Sequence, residues 1–155
     1  MKFFYILSFL LIAVTIFIVH RNGVSKLFSP DYEKAQVYVG LNAFEVDVAD
    51  DMTKRDKGLA GREELEPNEG MLFVFNNSAS RTFWMKGMLI PIDIVWINKG
   101  EVVGIAENVD PQIGEPLYKL SRHSSPEPAD MVLEVQAGRA QDLKIQVGDV
   151  VNVKL

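Results

Sequence analysis

The chain has 155 residues, with 16 lysines and arginines against 21 aspartates and glutamates, two histidines and no cysteine. All 21 acidic residues and 13 of the 16 basic ones lie beyond residue 30, so the C-terminal part carries a net charge of −8. A surface of that sign repels phosphate backbones, which excludes a nucleic-acid partner and gives no attraction to anionic lipid. Without cysteine there are no disulfides, thiolate metal sites or cysteine nucleophiles, and His123 alone beyond residue 20 cannot build a multi-histidine zinc site.

Residues 3–19 are uncharged and broken only by Ser8 and Thr15. A bilayer core of about 30 Å requires roughly 17–25 helical residues, so residues 1–22 are expected to form an N-terminal membrane anchor. A cleaved export signal is the competing expectation, with Gly23-Val24-Ser25 as its small-x-small triplet, although signal apolar regions are usually only about 7–15 residues long. A buried core helix is the third, since a helix apolar all round has no polar face for water. Lys2 precedes the run and Arg21, Lys26 and Lys34 follow it. That count points the C-terminal domain to the cytoplasmic side, but long domains translocate regardless of local charge.

Residues 23–34 read as a linker, with Ser29-Pro30-Asp31 as turn chemistry. Period-two patterns follow at 36–39 and, more clearly, at 43–49, where Phe44, Val46 and Val48 share one face and Glu45 and Asp47 the other. Asp51 or Thr53 can cap a short helix running to about residue 59, weakened by Gly58 and ended by Gly61. Strands are expected at 71–75, 82–86, 92–98 and 101–105, the last two joined by a tight Asn98-Lys99-Gly100 turn. Residues 111–129, with four prolines, read as a long loop. A strand at 131–136, a helical turn at 138–143, a turn at Val147-Gly148-Asp149 and a final strand at 150–155 complete the chain. Seven or so short strands with only scraps of helix predict a mainly β domain over 35–155, a compact sandwich or small barrel.

The charges within the apolar stretch FWMKGMLIPIDIVWI (83–97) are Lys86 and Asp93. If strands 82–86 and 92–97 pair, the two charges either form a cross-strand pair or, one register away, point to opposite faces. Trp84 is a core residue or a ligand platform. Arg62 is a surface residue or a bidentate anion clamp. Glu134 alternates with Leu133 and Val135, which an exposed sheet face explains; with Asp93 it could also form an acid/base pair. Phosphate-cradling glycine loops and nucleophile elbows are absent, and Arg122-His123-Ser124-Ser125 are neighbours in sequence, which does not make a triad.

Several blocks in order resemble the DUF192 family: GLAGR (58–62), GMLFVF (70–75), FWMK (83–86), IPIDI (90–94), Pro128-Ala129 with Val132-Leu133-Glu134-Val135 and Ala137-Gly138, and Val147-Gly148-Asp149. The resemblance covers about residues 43–155. It implies a compact, β-rich, sandwich-like fold, often behind an export signal or anchor, and so favours the exported side of a membrane; it supplies no reaction or ligand. Where the family commonly has Asn-Thr after FWMK, this chain has Gly87-Met88. Carried over, the motif positions make Arg62, Trp84, Lys86, Asp93 and Glu134 candidates for a shared polar pocket. The leading expectation is a membrane-tethered binding or accessory module for a small polar ligand or a protein, needing no cofactor or metal; the alternatives are an acid/base enzyme using Asp93 or Glu134, and a structural interaction domain.

Overall fold

The structure, a computed structural model, describes residues 30–154. The stretch 3–19 lies outside them, and among the described residues no helix is long and apolar enough to cross a membrane. From Tyr32 onward the chain forms one unit, in the order β1 (Glu33–Val39), β2 (Asn42–Ala49), α1 (Met52–Lys57), β3 (Glu69–Ala79), β4 (Thr82–Trp84), β5 (Ile92–Asn98), β6 (Glu101–Val109), a 3₁₀ turn (Leu117–Lys119), β7 (Arg122–Ser124), β8 (Ala129–Gln136), α2 (Arg139–Asp142) and β9 (Val151–Lys154).

Seven strands make one sheet in the order β6-β5-β8-β3-β2-β1-β9, antiparallel throughout except for the parallel pair β2–β3, whose crossover carries α1. The two ends of the sheet meet. Val102 donates to the Asp149 carbonyl (2.9 Å), Gly148 to Val102 (2.9 Å) and Val151 to Gly100 (2.8 Å). The sheet is therefore curled into a half-barrel; of the two architectures expected, the barrel-like one is present. Curling protects edge groups that an open sheet would leave unpaired.

Side-chain alternation sends two apolar sets to opposite faces of this sheet. Val37, Phe44, Val46, Leu72, Val95, Ile97, Leu133 and Val135 line the inside, which Ala140 and Ile145 plug. Met71, Phe73, Ile92, Ile94, Trp96 and Val132 face outward and are covered by Leu59, Leu65, Met85 and Met88 from the connecting segments. β5 is thus buried on both faces from Ile92 to Ile97, which is why its sequence, Asp93 apart, is an apolar run without alternation.

The structure corrects several expectations. Residues 82–86 do not pair with 92–97: β4 pairs with β7 in a separate two-stranded ribbon, while β5 lies between β6 and β8. Residues 111–129 hold the 3₁₀ turn and β7 within the expected loop. Gly58, at φ 49°, ends α1 before Gly61 is reached. The turn between β5 and β6 is as expected, with Lys99 and Gly100 both at positive φ (52° and 77°), the pairing that suits the twist of a two-residue hairpin.

Candidate functional site

A cleft of about 540 Å³ opens between α1, the end of β3 and the β4 ribbon. Its walls are aromatic and its mouth is cationic. Asp51 caps α1 by accepting from the Lys54 N–H (2.8 Å), which orients the helix so that Arg55 reaches across to β3. There Arg55 donates to the carbonyls of Asp50 (2.7 Å) and Val74 (2.9 Å), with its guanidinium 5.2 Å from the centre of the Phe75 ring. Arg81 lies 3.9 Å from the same ring centre and is held by the carbonyls of Ala129 (3.0 Å) and Asn77. Burial, reinforced by the like charge of Arg55, draws the Arg81 guanidinium below its usual pKa.

At the ribbon, Phe83 turns inward to meet Phe73 edge-to-face, ring centres 5.0 Å apart, and Trp84 turns outward, 38% exposed. Lys86 Nζ lies 5.6 Å and the Arg122 guanidinium 5.1 Å from the Trp84 ring. The ribbon is pinned at its base: Ser125 N–H donates to the Arg81 carbonyl (2.8 Å) and Arg81 N–H to Ser125 Oγ (3.0 Å). Pro126 packs on Gly104 so closely that a Cβ there would stand 2.5 Å from its ring. Among the described residues none of Arg55, Arg81, Lys86 and Arg122 has a carboxylate at salt-bridge distance; the ion pairs lie elsewhere. Asp56 is the one exposed acid lining the cleft.

Glu134 also lines the cleft. The expectation of an exposed sheet face is overturned: its neighbours across β3 and β5 are Met71 and Ile94, and the outer layer leaves it only 5% exposed. Its carboxyl has no hydrogen-bond partner among the described residues, and desolvation pushes its pKa up to about 8. A buried carboxyl without a cation or donor close by keeps its proton, because the ion loses more from leaving water than the neutral acid does.

Asp93 is elsewhere. It is fully buried on the inner face, and its carboxylate accepts from the backbone N–H groups of Asn108 (2.7 Å), Gly138 (3.1 Å) and Ala140 (2.8 Å). Adjacent strands place Asp93 opposite Val135 and Glu134 opposite Ile94, so the two carboxyls point to opposite faces and form no acid/base pair. Nor does Asp93 pair with Lys86, which is exposed on the outer side. Arg62 is occupied by Asp47, a partner the sequence did not suggest. Burial alone would raise the Asp47 pKa, but hydrogen bonds from Lys34 and Arg62 outweigh it and hold the carboxyl below its ordinary value. Of the candidates, then, Trp84, Lys86 and Glu134 meet at the cleft; Arg62 and Asp93 do not line it. The cleft residues missed in the sequence are Arg55, Arg81 and Phe75, with Arg122 beside them, which no local spacing joins. Among the described residues no three His, Asp or Glu side chains converge as metal ligands. In place of the family's Asn-Thr, Gly87 makes a positive-φ turn whose carbonyl accepts from Gly61 (2.9 Å), and Met88 is buried in the outer core.

Fold and cleft together define a small curled-sheet domain with an open, cation-rimmed pocket. Residues 35–153 match the family model DUF192, "Uncharacterized ACR, COG1430", and the chain belongs to this family. It is similar to the crystal structure of a proposed transcription regulator from Sinorhizobium meliloti 1021, with 29% identity over 80% of this chain and 96% of that one and a TM-score of 0.72. It is also similar to a protein of unknown function from Novosphingobium aromaticivorans DSM 12444, with 32% identity over 78% and 84% of the two chains and a TM-score of 0.68. No curated protein matches the sequence.

Proposed function

We propose that this domain binds a small anionic ligand in the cleft between α1, β3 and β4. The observation that carries the reading is the gathering of Arg55, Arg81, Lys86 and Arg122 on two aromatic rings, with no carboxylate paired to any of them among the described residues. In a domain of net charge −8, cations left without acidic partners are available to a ligand. Apolar walls with a few fixed polar groups are what small-molecule sites are made of. The acid/base alternative keeps only Glu134 and leaves the cations unexplained. Transcription regulation, the role proposed for the Sinorhizobium meliloti relative, would require a basic surface for direct DNA contact.

The same reading tethers the domain through residues 3–19, by way of a linker that ends before β1 begins at Glu33, on the exported side of a membrane. The length of the apolar run supports the tether. Protease treatment of spheroplasts, which opens both periplasmic and extracellular domains to attack, tests it: removal of the domain is the expected result, and full protection contradicts the exported placement.

For the ligand, the full chain in detergent is titrated with small aromatic carboxylates and sulfonates alongside their neutral amides. The anions are expected to bind more tightly than the amides, and Lys86→Ala to weaken them about threefold to tenfold, corresponding to one partly exposed charge contact. Equal binding of anions and amides contradicts the proposal.

A further inference from the structure

Glu134 is only 5% exposed, has no hydrogen-bond partner among the described residues, and lines a cleft whose other charged side chains are Arg55, Arg81, Lys86 and, exposed, Asp56. Its carboxyl oxygens are not among the sealed polar atoms lacking a partner, so they open onto the cleft, where a ligand can reach them. Setting a carboxyl in so dry a part of the lining disfavours its ionised form, whereas an apolar residue of similar size would carry no such penalty. We infer that Glu134 is the hydrogen-bond donor of the binding site: it meets an oxygen of the bound anion in its protonated form, so that the ligand is an oxyanion taken up together with one proton.

The inference rests on the anion-binding reading above and adds to it the identity of the donor and the chemistry of the ligand. Arginine and lysine at the mouth attract any anion, whereas a neutral carboxyl in the lining discriminates. Protonated, it donates to a carboxylate or sulfonate oxygen through a short O–H···O⁻ bond, stronger than a neutral one. Ionised, it would set like charge against the ligand in a poorly hydrated place, which is repulsive. The one histidine of the ribbon, His123 opposite Phe83, lines a separate hollow with Asn108 and Asp110 and not this cleft. α1 contributes Arg55 and the exposed Asp56, the β4 segment contributes Arg81 and Lys86, and β3 and β5 contribute Met71, Phe73 and Ile94. Arginine stays charged across the neutral range. Burial pushes the Glu134 pKa up to about 8.

Calorimetric titration of the full chain in detergent with benzoate and with benzenesulfonate, both ionised throughout, tests this between pH 6.5 and 9. The affinity of the unaltered protein is expected to fall about tenfold across that interval, with net proton uptake on binding near pH 8. Glu134→Gln, which keeps a donor but cannot ionise, is expected to bind with the same affinity at both ends. Glu134→Leu, which packs but cannot donate, is expected to bind weakly at every pH. Affinity independent of pH in the unaltered protein, or a pH dependence that persists in Glu134→Gln, overturns the inference and leaves anion binding standing. Failure of both probes to bind any of the three proteins at any pH overturns anion binding in the cleft, and the inference with it.

Discussion

A carboxylate with no exposure, such as Asp93, is tolerated only where hydrogen bonds replace the water it has lost. Asp93 has three of them, all from backbone N–H groups, and they tie the end of β6 and the start of α2 to β5. Asp93→Ala would leave those donors buried without acceptors and is expected to cost about 3–5 kcal/mol of unfolding free energy in denaturant titration. A loss below about 1 kcal/mol would show that water reaches them. Glu134 is the opposite case, desolvated at the cleft wall with no hydrogen-bond partner among the described residues. Its pKa rises from an ordinary 4.5 to about 8 on folding, so the unfolded chain releases this proton at lower pH than the folded one. The stability it allows is complete below about pH 4.5 and is lost as pH rises towards and through 8, by an amount on the order of 5 kcal/mol. Glu134→Gln is expected to match the unaltered protein at pH 4 and to exceed it by several kcal/mol at pH 9. Equal stabilities at pH 9 would mean that Glu134 ionises freely in the folded state.

Two elements set the geometry of the cleft. α1 is only six residues long, too short to be stable by itself, and depends on the Asp51 cap and on Arg55 gripping β3. Asp51→Ala is expected to lower stability by about 1 kcal/mol and also to weaken anion binding, since it loosens the helix that carries Arg55; intact binding would place Arg55 outside the ligand's reach. The β4–β7 ribbon depends on the Gly104–Pro126 contact. Much of this was legible in the sequence where the signal is local. β2 announced itself by alternation, α1 by its cap, the β5–β6 hairpin by Asn-Lys-Gly. The partner of β4 was not legible, because β7 lies about 40 residues away and each strand has only three residues. Glu134 misled for a related reason: alternation states that it shares a face with Val132, but the layer covering that face comes from residues 59–65 and 85–88. Asp93 and Lys86 stand seven residues apart in one apolar stretch, yet a change of sheet between them separates their surroundings.

At the scale of the whole domain, charge is unevenly distributed. The net charge is −8, while cations without acidic partners among the described residues collect at one cleft. Ion pairs and buried acids together also set the pH profile of stability. Asp47, held below its ordinary 3.8 by Lys34 and Arg62, contributes stability that is present above that value and lost as pH falls below it. Glu134 contributes the opposite slope above 4.5, so maximal stability is expected at about pH 4–5, more acidic than the usual range of about 5–8. The most direct test of anion binding uses the two tryptophans, Trp84 at the cleft and Trp96 buried in the outer core. Indole N–H signals of the full chain are followed by NMR as benzoate is added. Binding in the cleft predicts a saturable shift of the Trp84 signal with Trp96 unmoved. A Trp84 signal that stays in place while other surface groups shift would contradict it.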